Sequence, residues 1–153
     1  MASRIETIVL AGALAIAGLA ANAAAQPEPG GTSPAIDGYS PVSYFEEGRP
    51  EKGSKAFTVE YNGRTYWFTD AEQQATFEAD PAAYAPVFPN HCPYNLALGR
   101  AVKIDPTNFK IAGDDLLLFH RSDEMDGLEK WNEHGDEKEL MRRAKSQWEL
   151  FRF

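Results

Sequence analysis

The chain has 153 residues, 43% of them hydrophobic, with a net charge of −8. That is enough for one domain with a single modest core, and the acidic balance without a basic cluster argues against nucleic acid and against an anionic membrane surface as partners. One cysteine, Cys92, excludes an intramolecular disulfide, so the fold must stand on its core.

The N-terminus reads as a targeting segment. Arg4 precedes an uninterrupted apolar and glycine run, Ile8–Ala21, and Ala23-Ala24-Ala25 offers an A-x-A cleavage pattern. We therefore expect a signal peptide over residues 1–25. The run is short for a membrane-spanning helix, so no stable membrane anchor is expected after cleavage. The expected location is periplasmic or secreted. Residues 26–34, rich in Pro and Gly, read as a flexible leader.

Order is expected from residue 35, and the domain is taken as 35–153. Asp37-Gly38 signals a turn, with Tyr39, Val42, Tyr44 and Phe45 supplying surface to bury. Phe57, Val59 and Tyr61 alternate with polar residues before Asn62-Gly63, and the β-rich Thr65–Phe68 follows, which predicts a hairpin. Thr69 and Glu72 fit a capping box ahead of a helix over about 70–79. Asp80-Pro81 fits a second helix start, and Pro86 and Pro89 end that segment. A second hairpin is predicted over 108–120, turning near Gly113-Asp114. Ser122 is expected to cap a helix that carries Met125, Leu128 and Trp131 and closes at Gly135. Asp136 and Glu139 begin the last helix, whose Leu140, Ala144, Trp148 and Phe151 form an apolar face. Glu139–Arg143 and Lys145–Glu149 are expected pairs on its wet side. These elements predict a small α+β domain with two β-hairpins and flanking helices.

The motifs in this order resemble the YHS-domain family. The stretch "GYSPVSYF" is similar to that family's opening, "YNGRTYWFTDAEQQATFEADPAAYAPVF" to its hairpin and helix, and "DPTNFKIAGDDLLLF" to its next hairpin. The resemblance extends over residues 35–151 and is nearest to the exported, stand-alone members, some of which are selenoproteins. The family's cysteine falls on Cys92, with His91 where the family has Tyr, Pro93 where it has Ala, and Ser40 where its opening motif has Asp. The resemblance implies copper or other metal binding, or thiol redox chemistry, at this cysteine.

An unpaired thiol in an exported chain admits several readings. As a metal ligand, Cys92 with His91 suits copper or zinc, and both residues can reach one ion only on a turn. His120, His134, Met125 and Met141 are further ligands by type, though no spacing selects them. As a redox thiol, Cys92 would form a disulfide with a partner protein or a small thiol, since no resolving cysteine is present. Hydrolysis is disfavoured: there is no G-x-S-x-G, and a sequence-adjacent histidine rarely serves as base for a thiol. The chain carries no C-x-x-C, no C-x-x-C-H and no H-E-x-x-H, so the strong metal and haem signatures are absent, and the reading leans away from an enzyme. The alternative is a non-catalytic binding or accessory module with a structural cysteine, in which Tyr39, Tyr44, Tyr84 and Tyr94 form an aromatic pocket or are simply core.

Overall fold

A computed structural model describes residues 33–151; the expected signal peptide and the leader through residue 32 lie outside the described residues. The architecture is α+β: six helices and two separate two-stranded antiparallel sheets among the described residues. No helix among them is long and apolar enough to cross a membrane.

The chain enters through a tight turn at Ala35–Gly38, where Ile36 (φ 47°) and Asp37 (φ 53°) both adopt the left-handed region. Such backbone is costly for non-glycine residues, about 1–3 kcal/mol each, and worst for a β-branched one. Burial of Ile36 in the core holds it there. A short helix α1 (Ser43–Glu46) follows. Strands β1 (Ser54–Tyr61) and β2 (Arg64–Phe68) then form the first hairpin, with Val59 opposite Tyr66 and Tyr61 opposite Arg64. Asn62 (φ 50°) and Gly63 (φ 71°) make the two-residue turn that their sequence anticipates.

Helix α2 (Ala71–Ala79) is capped by Asp70, not Thr69. The Asp70 carboxylate accepts from the Glu72 and Gln73 amides, and Thr69 donates to it. Asp80 caps α3 (Pro81–Tyr84) as expected, with Pro81 at its first turn. Helix α4 (Pro93–Ala97) was not foreseen; it begins directly after Cys92. The second hairpin pairs β3 (Phe109–Ala112) with β4 (Asp115–Leu118).

Helix α5 (Gly127–His134) starts four residues later than a Ser122 cap would place it, because Asp126 is the cap. Ser122 instead closes a turn with Met125. Helix α6 (Glu137–Phe151) follows Gly135. Leu140 and Ala144 are buried along it and Trp148 is partly so, but Phe151 is exposed, so the apolar face stops one turn early. Glu139 pairs with Arg142 rather than Arg143. Lys145 lies 3.8 Å from Asp115 across to β4.

Two apolar clusters share β4. Leu116 and Leu118 face one cluster, with Val42, Tyr44, Tyr66, Phe68 and Phe77. Leu117 and the following Phe119 face the other, with Phe88, Cys92, Leu96, Trp131 and Leu140. Side chains alternate along a strand. A strand covered on both faces therefore reads as an unbroken apolar run, which explains "LLLF".

Candidate functional site

Cys92 sits where β-like backbone turns into α4. Its φ of −64° and ψ of 120° are the extended values favoured before proline. Its amide donates to the Val102 carbonyl at 2.9 Å, and its carbonyl accepts from the Leu96 amide at 2.9 Å. The side chain makes no capping hydrogen bond. It is fully buried in the second cluster. The sulfur lies against Gly127, where an added Cβ would stand only 2.8 Å from Sγ. A glycine is required here by the close approach of that sulfur and of the His120 backbone.

The first turn of α5 is fixed in place by a polar network. Asp126 Oδ1 accepts from the Leu128 and Glu129 amides and from Asn108 Nδ2. Asp126 Oδ2 accepts from Arg121 Nε, and Arg121 Nη2 donates to Asn108 Oδ1. Burial alone would raise the Asp126 carboxyl, but the Asn108, Glu129, Arg121 and Leu128 donors outweigh it and hold it below its ordinary range.

His91 makes different contacts from its neighbour. Its backbone bridges to Lys103, and its ring lies on Trp148 of α6, centroids 5.4 Å apart. Its Nδ1 is buried without a hydrogen-bond partner. Burial, followed by the Arg64 charge, holds its pKa below the ordinary 6.5. The imidazole therefore faces Trp148 while the thiol faces Gly127. His120 Nδ1 is 3.0 Å from the Lys103 carbonyl, His134 ends α5, and Met141 packs at the edge of the second cluster.

A closed zinc site takes about four ligands around one point. Among the described residues no group of three or more His, Cys, Asp and Glu side chains comes together. Cys92 is enclosed by apolar side chains, whereas reactive and ligating thiols lie in partly exposed, electropositive surroundings.

The tyrosines are dispersed. Tyr44 is buried, donates from its hydroxyl to the Pro106 carbonyl at 2.7 Å and meets Phe109 edge-on. Its ionisation is pushed up, mainly by burial. Tyr39 lies under the Lys52 ammonium at 4.0 Å, and Tyr84 meets Phe45 edge-on. These three belong with the first cluster, while Tyr94 packs on the second, which includes Cys92.

Two clefts lie elsewhere, around Arg64. A cleft of about 430 Å³ is walled by Tyr61, Tyr66, Trp148 and Pro89, with Asp114 and Asp115 at its rim. A second cleft of about 560 Å³ is lined by Ile36, Asp37, Thr65, Asn90 and Lys103. Arg64 lines both. None of Tyr39, Tyr44, Tyr84 and Tyr94 lines either. Burial pushes the Tyr66 hydroxyl up to about 12, with Arg64 opposing. The sequence signal for this face was only the aromatic content of the first hairpin. Trp148 and Asn90 reach it from distant segments, so no local motif could mark it. Comparison with protein-family models, curated proteins and solved structures returns no match.

Proposed function

We propose that this chain is an exported, YHS-like binding or accessory module, non-catalytic, in which Cys92 packs rather than reacts. The single observation that carries this reading is the complete burial of Cys92 against Gly127 and among apolar side chains. A free cysteine so placed behaves as a small hydrophobe. The binding surface is the pair of clefts on either side of Arg64, which supply aromatic walls and a central cation. That combination suits a ligand with an apolar body and a polar group. Export rests on the N-terminal charged and apolar pattern.

Equilibrium dialysis of the purified protein and of Cys92→Ala against copper(I) and zinc(II) tests it. Both proteins should take up the same small, sub-stoichiometric amount of metal. One equivalent of tightly held metal in the wild type, lost in Cys92→Ala, would overturn the reading in favour of a metal centre.

A further inference from the structure

The larger cleft is electrostatically at odds with the rest of the molecule. The chain carries a net charge of −8, yet Arg64 and Lys103 face this cleft against one carboxylate, Asp37. Asp37 is already engaged: it lies 3.2 Å from Lys103 Nζ. Arg64 is not so engaged. Among the described residues its side chain makes one contact of hydrogen-bond range, from Nη1 to the Asn62 carbonyl at 3.4 Å, and its Nε is buried with no partner. Buried donors are nearly always satisfied in a folded protein, so a guanidinium that lines a cleft with its Nε orphaned and only one weak contact at Nη1 is short of acceptors.

The cleft's other wall points the same way. Ile36 and Asp37 hold left-handed backbone there, and strained backbone of this kind concentrates at ligand sites. Thr65 and Asn90 add polar side chains to the same lining. His91, next to Asn90 in sequence and outside the lining, has a buried and unpartnered Nδ1 close enough to feel the Arg64 charge.

Resting on the binding-module reading above, we propose that this cleft holds a compact oxyanion, a carboxylate or phosphate group, with Arg64 as its fork and Lys103 as the second cation. The planar guanidinium fork matches two oxygens of such a group, and Lys103 supplies a point charge from a distant segment. The oxyanion can belong to a free small molecule or to the headgroup of a lipid; the chemistry gripped is the same.

The test is a titration of the isotopically labelled protein, followed through its backbone amide NMR signals. The probes are acetate, inorganic phosphate and, at matched ionic strength, sodium chloride. Acetate or phosphate should give saturable shifts at Gly63, Arg64, Thr65 and Asn90, and chloride should not. Arg64→Gln should weaken the response at least about tenfold, and Lys103→Gln should weaken it by less, both with dispersed spectra that prove folding. Vesicles of phosphatidic acid in phosphatidylcholine, added in place of free anions, separate the sources: loss of signal on vesicles without saturation by free phosphate assigns the group to a lipid. Shifts that track ionic strength alone, or survive Arg64→Gln unchanged, overturn the anion site. If instead an uncharged aromatic probe such as indole saturates at Tyr61 and Trp148 while anions do nothing, the oxyanion inference falls and the binding-module reading stands. A tight metal centre at Cys92 would remove that reading without touching the Arg64 result.

Discussion

Gly127 and Cys92 contend for one space, and that makes a quantitative test. A methyl group at position 127 would stand 2.8 Å from Cys92 Sγ and 3.2 Å from the His120 carbonyl oxygen. Non-bonded heavy atoms settle at about 3.5–4.0 Å, so the methyl intrudes on the sulfur by roughly an ångström. The sulfur has no easy retreat, because Phe88, Leu96, Trp131 and Leu140 belong to the same buried cluster. Gly127→Ala should therefore cost about 1–3 kcal/mol, the usual range for overpacking, despite the better helix propensity of alanine. Cys92→Ala alone should cost about 1–2 kcal/mol, through the sulfur-sized void it leaves. In the double variant the new methyl occupies part of that void. Its cost should fall short of the sum of the single costs by at least about 1 kcal/mol, a coupling expected of side chains in contact. Urea unfolding followed by tryptophan fluorescence measures the whole cycle. The His120 carbonyl stays in place, so rescue will be partial. Costs that add within about 0.5 kcal/mol would refute the shared-space reasoning.

Three further outcomes follow from the polar groups. Asp126→Asn keeps the shape of the α5 cap but removes the charge that Arg121 and Asn108 engage, and should lower the urea midpoint by the equivalent of about 1–3 kcal/mol. His91 has its pKa held below 6.5, so the folded chain resists a proton that the unfolded chain accepts. Acidification from about pH 7 towards the folded value should then destabilise the protein, and His91→Gln should flatten that part of the stability profile. Glu137 is held below 4.5, first by its hydrogen bond from Lys110 and then by that from the Trp131 indole. Its stabilisation is present above 4.5 and lost as pH falls through the lower folded value. Glu137→Gln should therefore reduce the acid sensitivity of thermal unfolding below about pH 4.

Much of the fold was legible because local chemistry decided it. Asn62-Gly63 accepts positive φ, and the hairpin turns there. Asp80-Pro81 combines a cap with a pre-set φ, and α3 begins there. Where reading failed, longer-range or competing groups prevailed. Asp70 displaced Thr69 as cap because a carboxylate can accept two amides at once. Asp126 displaced Ser122 because Arg121 and the more distant Asn108 already hold its carboxylate. The five residues of α4 are too few to show a helical period, so nothing in the sequence marked a helix after Cys92. Cys92 itself was visible as the odd residue of the sequence, but its surroundings were not. Gly127 and Trp131 reach it from α5, and nothing local to Cys92 marks them. The Arg64 clefts were the least legible feature. They are assembled from the hairpin turn, the segment around Asn90 and the end of α6, and their signature is an orphaned Nε that only the fold creates.

The most direct measurement is the rate at which Cys92 reacts with a soluble disulfide reagent, recorded from zero denaturant through the urea transition. A packed thiol should be silent in the folded protein and react only as fast as the chain opens, with a urea dependence that matches global unfolding. Rapid, stoichiometric reaction in the absence of urea, in a protein whose fluorescence and amide signals remain native, would contradict the structural role of Cys92.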